Sequence, residues 1–479
     1  MSQLKNVRTR MAPSPTGELH IGGLRTALYD YALAKKFNGQ FILRVEDTDQ
    51  KRYVPGSEER LQAVFKEFGL NWDEGPGIGG PFSPYVQSQR LEIYQKYAQQ
   101  LLTQKDAYYC FCSQERLDSL REEQKKAGKI PRYDQHCLSL SQDEIDQKLK
   151  DNQPFTIRLK VPSNKTIVFE DLVRGQVKFN TNDVDDQVLV KSNGIPTYHL
   201  ASVIDDHLME ISHVIRAEEW LPSSPKHVLI YQALNWPLPK FAHVSVFLDP
   251  SHSGKMSKRH GSVHAQGFLD EGYLPQAVLN FIMLLGWNPG TDQEIFSLEE
   301  FIKSFELEKL NKKPAIFDRK KLDYFNGYYI RQLSNQSLLP YFKKFLPQAS
   351  QAQLDVLIPI LKERLVKFSD LPAQLNFLFE DPDYDSKLLY KRGNPKELIL
   401  KMLQETKKLL SALADFSFEN LQQSILQLIK DNNWSMGDYF MVLRVTICAS
   451  SFTPPVVEML PLLGKDKCLK KIDIAISKL

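Results

Sequence analysis

The stretch Arg10-Met-Ala-Pro-Ser-Pro-Thr-Gly-Glu-Leu-His20-Ile-Gly-Gly23 lies between two runs of opposite character. Val7 to Ala12 reads as a short buried strand. After the stretch, Leu24, Ala27, Leu28, Tyr31 and Ala34 recur at helical spacing as far as Lys36, where Asn38-Gly39 makes a stop. The unit is therefore strand, tight loop, helix. Two prolines and Gly17 stiffen and bend the loop, and Gly22 and Gly23 leave backbone N–H groups bare at the helix start. A helix N-terminus after a strand attracts anions through its orphan donors and its dipole, so a phosphate-bearing ligand is the natural guest, with His20 beside it as a donor. The same residues also suit a βα turn whose histidine merely caps the helix, and this stretch alone does not separate the two.

A second stretch bears on that choice. Lys255-Met-Ser257-Lys258-Arg259 follows Asp249-Pro-Ser-His-Ser-Gly254 and reads as a mobile surface loop whose cations can close over a polyphosphate. Taken alone, K-x-x-K-R is more often a solvated basic turn. Together the two stretches resemble the "HIGH" and "KMSKS" signatures of class I aminoacyl-tRNA synthetases. Ala12-Pro-Ser-Pro-Thr-Gly17 with Arg44-Val-Glu46-Asp47-Thr-Asp49 resembles the glutamyl-tRNA synthetases in particular, and the likeness runs along essentially the whole chain. Gly23 stands where the signature's name has a second histidine. Glutamyl enzymes commonly lack it, which shifts the phosphate-side burden to His20 and the loop lysines.

The resemblance implies an α/β fold in four parts. A Rossmann-like catalytic domain would occupy 1–85 and 191–252, interrupted over 86–190 by an α+β connective-peptide insertion that grips the tRNA acceptor end. The KMSKS loop and a stem-contact domain would follow over 253–330, and an all-α anticodon-binding region of bacterial type over 331–479.

Composition is compatible with this. A length of 479 residues points to two to four domains, and 42% hydrophobic residues supply several cores. Lys plus Arg at 61 against Asp plus Glu at 58 gives a formal +3, so any RNA-binding surface has to come from local clustering. Apolar runs such as Ala277 to Trp287 are too short and interrupted to cross a bilayer, and MSQLKNVRTR has no apolar h-region, which sets the expectation of a cytoplasmic protein with no membrane contact. Five cysteines speak against a disulfide framework and for reduced thiols or a metal site.

Along the chain, Gln40 to Val45 reads as a strand ending in acidic Glu46-Asp47-Thr-Asp49, and acidic groups at the carboxyl end of a parallel strand face the ligand crevice in open α/β sheets. A solvated turn is the other reading. By resemblance Glu46 holds the substrate's amino group, with Arg10 and Ser14 in the same pocket. A helix follows from about Gln87 to Thr103. Beyond it, Cys110-Phe-Cys112 and Tyr133-Asp-Gln-His136-Cys137 offer three sulfurs, most of a tetrahedral zinc site. Zinc-binding glutamyl enzymes resemble C-x-C with a distal C-x-H, but Ser139 stands where that histidine would fall. The related glutamyl-queuosine enzymes use C-x-C…Y-x-x-x-C, which Tyr133 and Cys137 match. His136 is another candidate, and cysteines kept only as small buried hydrophobes are a further reading.

From Phe155 to Val190 short β-branched runs alternate with turns, as expected of the insertion. Gly194 to His207 reads as a strand and turn leading to a helix, followed by a buried strand from His213 to Arg216 and a helix starting near Pro222. The resemblance places Tyr198 and Arg216 in the glutamate pocket. There a planar guanidinium fork pairs bidentately with the γ-carboxylate, and an uncharged amide would match it poorly. Arg216 could instead pair with Glu218, Glu219 or Asp206 in a structural network. Glu219 and Trp220 fall near the adenosine by the same carry-over. Ser202 stands where many relatives have an asparagine that helps hold the substrate.

Gly267 to Trp287 is expected to be largely helical, and Ser297-Leu-Glu-Glu300 is a capping box. Lys309, Lys312, Lys313, Arg319, Lys320 and Lys321 crowd around Pro314-Ala-Ile-Phe317 ahead of Tyr324, Tyr328 and Tyr329, a pattern that suits a phosphate backbone or a solvated surface. The family's stem-contact segment favours the former. From Arg331 only amphipathic helices appear, with breaks expected at Pro347, Pro359, Pro372, Pro382, Pro395 and Pro454-Pro455.

The implied reaction condenses glutamate with ATP, releases pyrophosphate and moves the glutamyl group to the terminal adenosine of tRNA(Glu). His20, Lys255 and Lys258 would be the catalytic groups, Gly17, Gly22, Gly23, Ser257 and Arg259 would complete the ATP site with Glu219 and Trp220, and Mg²⁺ would screen the phosphates. Cys110, Cys112, Tyr133 and Cys137 would hold a zinc ion. The sequence leaves open whether tRNA(Gln) is charged as well, and the family expectation is a monomer. A glutaminyl enzyme would end in β-barrels, and a glutamyl-queuosine enzyme would end soon after the K-M-S-K-R loop. A non-catalytic RNA-binding paralogue would have let His20, Lys255, Lys258 and Arg216 drift.

Overall fold

The structure, a computed structural model, describes residues 6–249, 262–381 and 384–479. It forms two compact units, one of residues 1–269 and 275–322, the other of 270–274 and 323–479. In chain order the first unit contains β1 (Arg8–Met11), α1 (Ile21–Lys36), β2 (Gln40–Leu43), α2 (Ser57–Glu67), α3 (Leu91–Thr103), β3 (Ala107–Cys110), α4 (Gln114–Lys126), α5 (Gln142–Lys150) and β4 (Thr156–Leu159). It continues with β5 (Thr166–Asp171), β6 (Gly175–Asn180), β7 (Val188–Val190), α6 (Tyr198–Leu208), β8 (His213–Ala217), α7 (Ser224–Ala233), β9 (Lys240–Val244) and β10 (Phe247–Leu248). After the undescribed stretch come α8 (Ala265–Asp270), α9 (Pro275–Met283), α10 (Leu298–Ser304) and β11 (Ala315–Ile316).

The site rests on parallel strands. β1 pairs with β2, β8 with β9, and β5 joins β9 through Asp171 opposite Phe241. β1 lies beside β8: the Ser212 N–H donates to the Arg8 carbonyl at 3.0 Å, and further along the Arg10 guanidinium reaches the Ile215 carbonyl at 3.4 Å, so the two strands run the same way. Their carboxyl ends therefore gather on one edge, where open α/β sheets bind ligands.

The hairpin of β5 and β6, expected inside the insertion, adds instead to this sheet. Burial explains it: Ile167 and Phe169 alternate inward along β5 and pack with Ile42, Tyr85, Val214, Val228 and Phe241. The insertion keeps an antiparallel sheet of its own, β3-β4-β7, whose Ile157, Leu159 and Leu189 share a core with Tyr94 and Leu101 of α3 and with Leu200 and Ile204 of α6. The helix expected across Gly267 to Trp287 is two helices, because Gly272 turns the chain at φ +85° and Pro275 restarts it. The Ser297 capping box is present.

Apart from α11 (Arg319–Gln332), which begins in the first unit, the second unit holds α12 (Asn335–Phe345), α13 (Gln351–Lys362), α14 (Leu371–Leu375), α15 (Lys396–Ala412), α16 (Phe418–Asp431), α17 (Met436–Cys448), α18 (Val456–Leu463) and α19 (Lys465–Lys478). Among its described residues there is no strand. Pro372, Pro395 and Pro455 stand at helix starts, as breakers should. Pro359 does not break its helix. It sits within α13, where the interior-proline cost of about 3 kcal/mol is opposed by burial of Leu354, Leu357, Ile358 and Leu361 at about 1.5–3 kcal/mol each. Pro340 and Pro461 are likewise inside helices, and Pro382 lies outside the described residues. No described helix is long and apolar enough to cross a membrane.

The register that carries the site begins at Gly39. Its N–H caps the Ala34 carbonyl at 2.8 Å, and the next residue, Gln40, donates to the Val7 carbonyl at 2.9 Å. A Cβ on Gly39 would lie 1.9 Å from that same Val7 oxygen, so the two strands could not close. Gly39→Ala is expected to cost about 1–3 kcal/mol in urea unfolding followed by tryptophan fluorescence. An unchanged midpoint would show that the strand start tolerates a side chain.

Candidate active site

The loop between β1 and α1 shows the capping reading of His20 directly. His20 is the N-cap of α1, with extended backbone at φ −66° and ψ 144°, and its Nδ1 accepts the Gly22 N–H at 3.0 Å. That acceptor role uses the Nδ1 lone pair, so in the neutral ring the hydrogen is on Nε2. The ring thus caps the helix while lining the cavity described next. A Cβ on Gly22 would crowd Nδ1 at 3.2 Å, and one on Gly23 would meet Leu19 Cδ1 at 3.0 Å, which accounts for the paired glycines.

The helix start opens on a cavity of about 620 Å³. Arg10, Ser14, His20, Gly22, Gly23 and Glu46 line it from the first half of the fold, and Tyr198, Arg216, Glu219 and Trp220 from the second. Residues more than two hundred positions apart in the sequence therefore meet in one place. Gly17 does not line the cavity; its φ of +141° serves the bend of the loop. Ser202 does not line it either. It is buried in α6, with Oγ 3.4 Å from an Arg44 guanidinium nitrogen. Lys255, Ser257, Lys258 and Arg259 lie outside the described residues.

Behind the cavity lies a buried charge network. Asp206 Oδ1 accepts from Arg10 Nε at 3.0 Å and from Arg44 at 2.8 Å, and Arg44 also donates to Glu46 at 2.9 Å. Burial pushes the Asp206 carboxyl up, but Arg10 and Arg44 outweigh it and hold the group below its ordinary value. For Glu46 burial prevails over Arg44 and its carboxyl is raised. Asp205 is satisfied separately by Arg90 at 2.8 Å, Tyr94 at 2.7 Å and Gln87 at 3.0 Å.

Arg216 differs in kind. Its Nε donates to His243 Nε2 at 2.9 Å, and its outer nitrogens to Tyr198 Oη at 2.9 Å, Ser224 Oγ at 2.8 Å and His227 Nδ1 at 3.3 Å. The carboxylates offered as structural partners are engaged elsewhere in two cases, Glu218 with Arg174 and Asp206 with Arg10 and Arg44. Burial drives His227 well below its ordinary value, and Arg216 adds to the shift. A buried cation held by uncharged groups at a cavity wall is complementary to a carboxylate.

Arg44, Asp205 and Arg25 are given no individual role by the sequence, and Asp206, a candidate partner of Arg216 there, pairs with Arg10 and Arg44 instead. Arg25 lines the cavity from α1, donates to the carbonyls of Leu285 at 2.9 Å and of Ser245, and stacks 4.1 Å over Phe247. Charged residues on the buried face of otherwise apolar helices were the available signal for all but Arg44.

In the insertion, the sulfurs of Cys110, Cys112 and Cys137 lie within 4.8 Å of one another. The Tyr133 hydroxyl is 3.3 Å from Cys110 Sγ and 3.4 Å from Cys112 Sγ, while His136 is exposed and outside the group. The hydrogen bond with Cys137 is the largest influence on Cys110, and against burial it carries that thiol down to about 4. Elsewhere in the first unit, Lys312, Lys313 and Lys321 border a second cavity of about 660 Å³.

Comparison with known proteins gives the same answer from both halves of the chain. Residues 6–324 match the family described as tRNA synthetases class I (E and Q), catalytic domain, and residues 336–476 match an anticodon binding domain. The chain is 44% identical over 480 residues to a glutamate–tRNA ligase of Clostridium tetani, covering 99% of this chain and 98% of that one. It is 42% identical, with the same coverage, to one of Clostridium botulinum strain Okra. Among solved structures, a glutamate tRNA ligase from Elizabethkingia meningosepticum, in complex with its amino acid, superposes with a TM-score of 0.86 at 40% identity, covering 99% of this chain and all of that one. The glutamate–tRNA synthetase of Elizabethkingia anophelis gives 0.87 at the same identity and coverage. The chain therefore belongs to the class I aminoacyl-tRNA synthetases, and within them to the glutamate–tRNA ligases.

Proposed function

We propose that the cavity takes the substrate glutamate between Arg216, Tyr198, Arg10 and Glu46, and ATP along the N-terminus of α1 from His20 to Gly23 with Glu219 and Trp220 on the adenosine side. Arg216 carries the reading: a buried cation, held by uncharged partners, faces the cavity and is suited to the γ-carboxylate. Glu46, on the same wall, is suited to the amino group. Ser202 acts through Arg44, without touching the substrate.

No side chain need become covalently attached, because the glutamate α-carboxylate is itself the nucleophile toward the α-phosphorus. The protein positions the reactants and stabilises charge. His20 and the bare N–H groups of α1 hold phosphate, and Lys255 and Lys258 supply the remaining positive charge with Mg²⁺. The glutamyl group then passes to the 3′-terminal adenosine of tRNA(Glu), with the insertion on the acceptor end, the lysine-rich segment from Lys309 to Lys321 on the stem and the helical region on the anticodon. A cytoplasmic location accords with the free thiols, and a monomer is the family expectation.

The donor set in the insertion fits zinc, which takes three thiolates and one oxygen in a tetrahedron. Cys110, Cys112 and Cys137 would be three ligands, and the Tyr133 hydroxyl is placed to be the fourth; a bound zinc would fix the segment from 110 to 137.

Charging assays with ATP, Mg²⁺ and purified tRNA test the whole reading. Glutamate is expected on tRNA(Glu), glutamine is not, and Arg216→Gln should lower kcat/KM for glutamate by about a hundredfold or more. Wild-type-like charging by that variant would remove Arg216 from the pocket. Parallel charging of tRNA(Gln) would make the enzyme non-discriminating. In tRNA-supplemented pyrophosphate exchange, Lys258→Ala should slow activation by about tenfold or more, ~1.4 kcal/mol; an unchanged rate would dismiss the lysine's role. Metal analysis of the purified protein should find zinc near one equivalent, lost in Cys112→Ser. A metal-free wild-type protein would leave the cysteines as packing residues only.

A further inference from the structure

Three adjacent parallel strands each place one residue in a line behind the cavity. Arg216 on β8 stands opposite His243 on β9 in register, and Asp171 closes β5 on the far side. Arg216 Nε donates to His243 Nε2 at 2.9 Å, and His243 Nδ1 lies 2.6 Å from Asp171 Oδ2. His243 is wholly buried and Asp171 is 1% exposed. Asp171 also accepts the backbone N–H groups of Val173 at 3.0 Å, Arg174 at 2.8 Å and His243 at 3.1 Å, so its carboxylate has no freedom to turn. Each imidazole nitrogen that faces a guanidinium N–H has to offer a lone pair. His243 therefore bears its hydrogen on Nδ1, toward Asp171. On the other side His227 accepts at Nδ1, bears its hydrogen on Nε2 and gives it to His199 Nδ1 at 3.1 Å.

This arrangement contrasts with Arg10 and Arg44, which touch carboxylates directly. A carboxylate in direct contact with Arg216 would compete with any incoming one for the same cation. An interposed imidazole fixes the guanidinium without neutralising it. We propose that Asp171 and His243 are a positioning pair that sets specificity for the substrate γ-carboxylate, Asp171 fixing the tautomer of His243 and His243 fixing the fork of Arg216. The proposal rests on the reading of Arg216 as the carboxylate-binding group. Burial supports it by keeping the imidazoles uncharged: His199 is lowered to about 3, and His243 and His227 lie below their ordinary values.

Asp171→Asn keeps an oxygen for the backbone N–H groups but can present an N–H to His243, which turns the imidazole's hydrogen toward Arg216 Nε–H. KM for glutamate is then expected to rise about tenfold with KM for ATP little changed, and the preference for glutamate over glutamine to narrow by a similar factor. His243→Leu should do the same, and His243→Gln, whose Oε1 can accept from Arg216, should recover part of the loss. Thermal melting and ATP affinity report whether each variant is folded. Unchanged KM for glutamate in both Asp171→Asn and His243→Leu overturns the pair, as does an equal loss of glutamate and ATP binding, which would mark a merely structural role. Arg216→Gln separates the levels. If it too leaves KM for glutamate unchanged, the reading of Arg216 fails; if it alone raises KM, only the positioning pair fails.

Discussion

Asp206 between Arg10 and Arg44 is the interaction on which the site depends. One carboxylate oxygen accepts from both guanidinium groups, and so ties α6 to β1 and β2, three elements far apart in the sequence. Burying such charges is costly, and the cost is offset only when the geometry is good and the remaining donors are satisfied. The outer nitrogens of Arg44 meet that condition through Asp206 and Glu46, while its Nε makes no hydrogen bond and lies 3.8 Å from Asp205. The consequence is positional. With these arginines locked from behind, the strand ends that carry Glu46 and the start of the β1–α1 loop have one arrangement, which sets the walls of the cavity.

Two kinds of arginine thus stand at and behind the cavity wall. Arg10 and Arg44 are structural cations whose charge is spent on neighbouring carboxylates, although Arg10 also touches the cavity. Arg216 is held by a tyrosine, a serine and two imidazoles, all uncharged. Removing a partner from a buried charge leaves the full desolvation penalty of that charge, about 1–3 kcal/mol or more. Arg216 avoids that penalty through its four hydrogen bonds, none of which brings a compensating negative charge.

Much of this was legible in the sequence, and the particulars show why. The β1–α1 unit could be read because proline, glycine and helical periodicity act within about twenty residues. His20 and Glu46 follow from local strand and helix ends, but Tyr198 and Arg216 rest on motif resemblance, since no periodicity brings residues 20 and 216 together. The hairpin of β5 and β6 went to the wrong sheet because alternation predicts a strand but not its neighbour; the packing of Ile167 and Phe169 against Phe241 decides that. Pro359 was read as a break because the local cost is visible in sequence, whereas the burial of Leu357 and Leu361 that offsets it is not. The fourth donor beside the cysteines stayed open between Tyr133 and His136, adjacent candidates that only a turn of the chain distinguishes. In the structure the tyrosine faces inward and the histidine is exposed.

His20 shows how a structural contact orients a group at the cavity. Its cap on Gly22 fixes which ring nitrogen bears the hydrogen, and the cap exists because Gly22 leaves space beside Nδ1. A histidine free of that bond could take either tautomer or gain a proton, and would present the phosphate with a variable partner. Capping therefore orders the donor. The same logic runs through His243, where an anion on the far side of the ring determines what the near side offers. In both places an imidazole transmits a constraint from buried backbone or carboxylate to the cavity wall, so that the groups proposed to meet the substrate are oriented by the fold itself, which is where positioning contributes to rate.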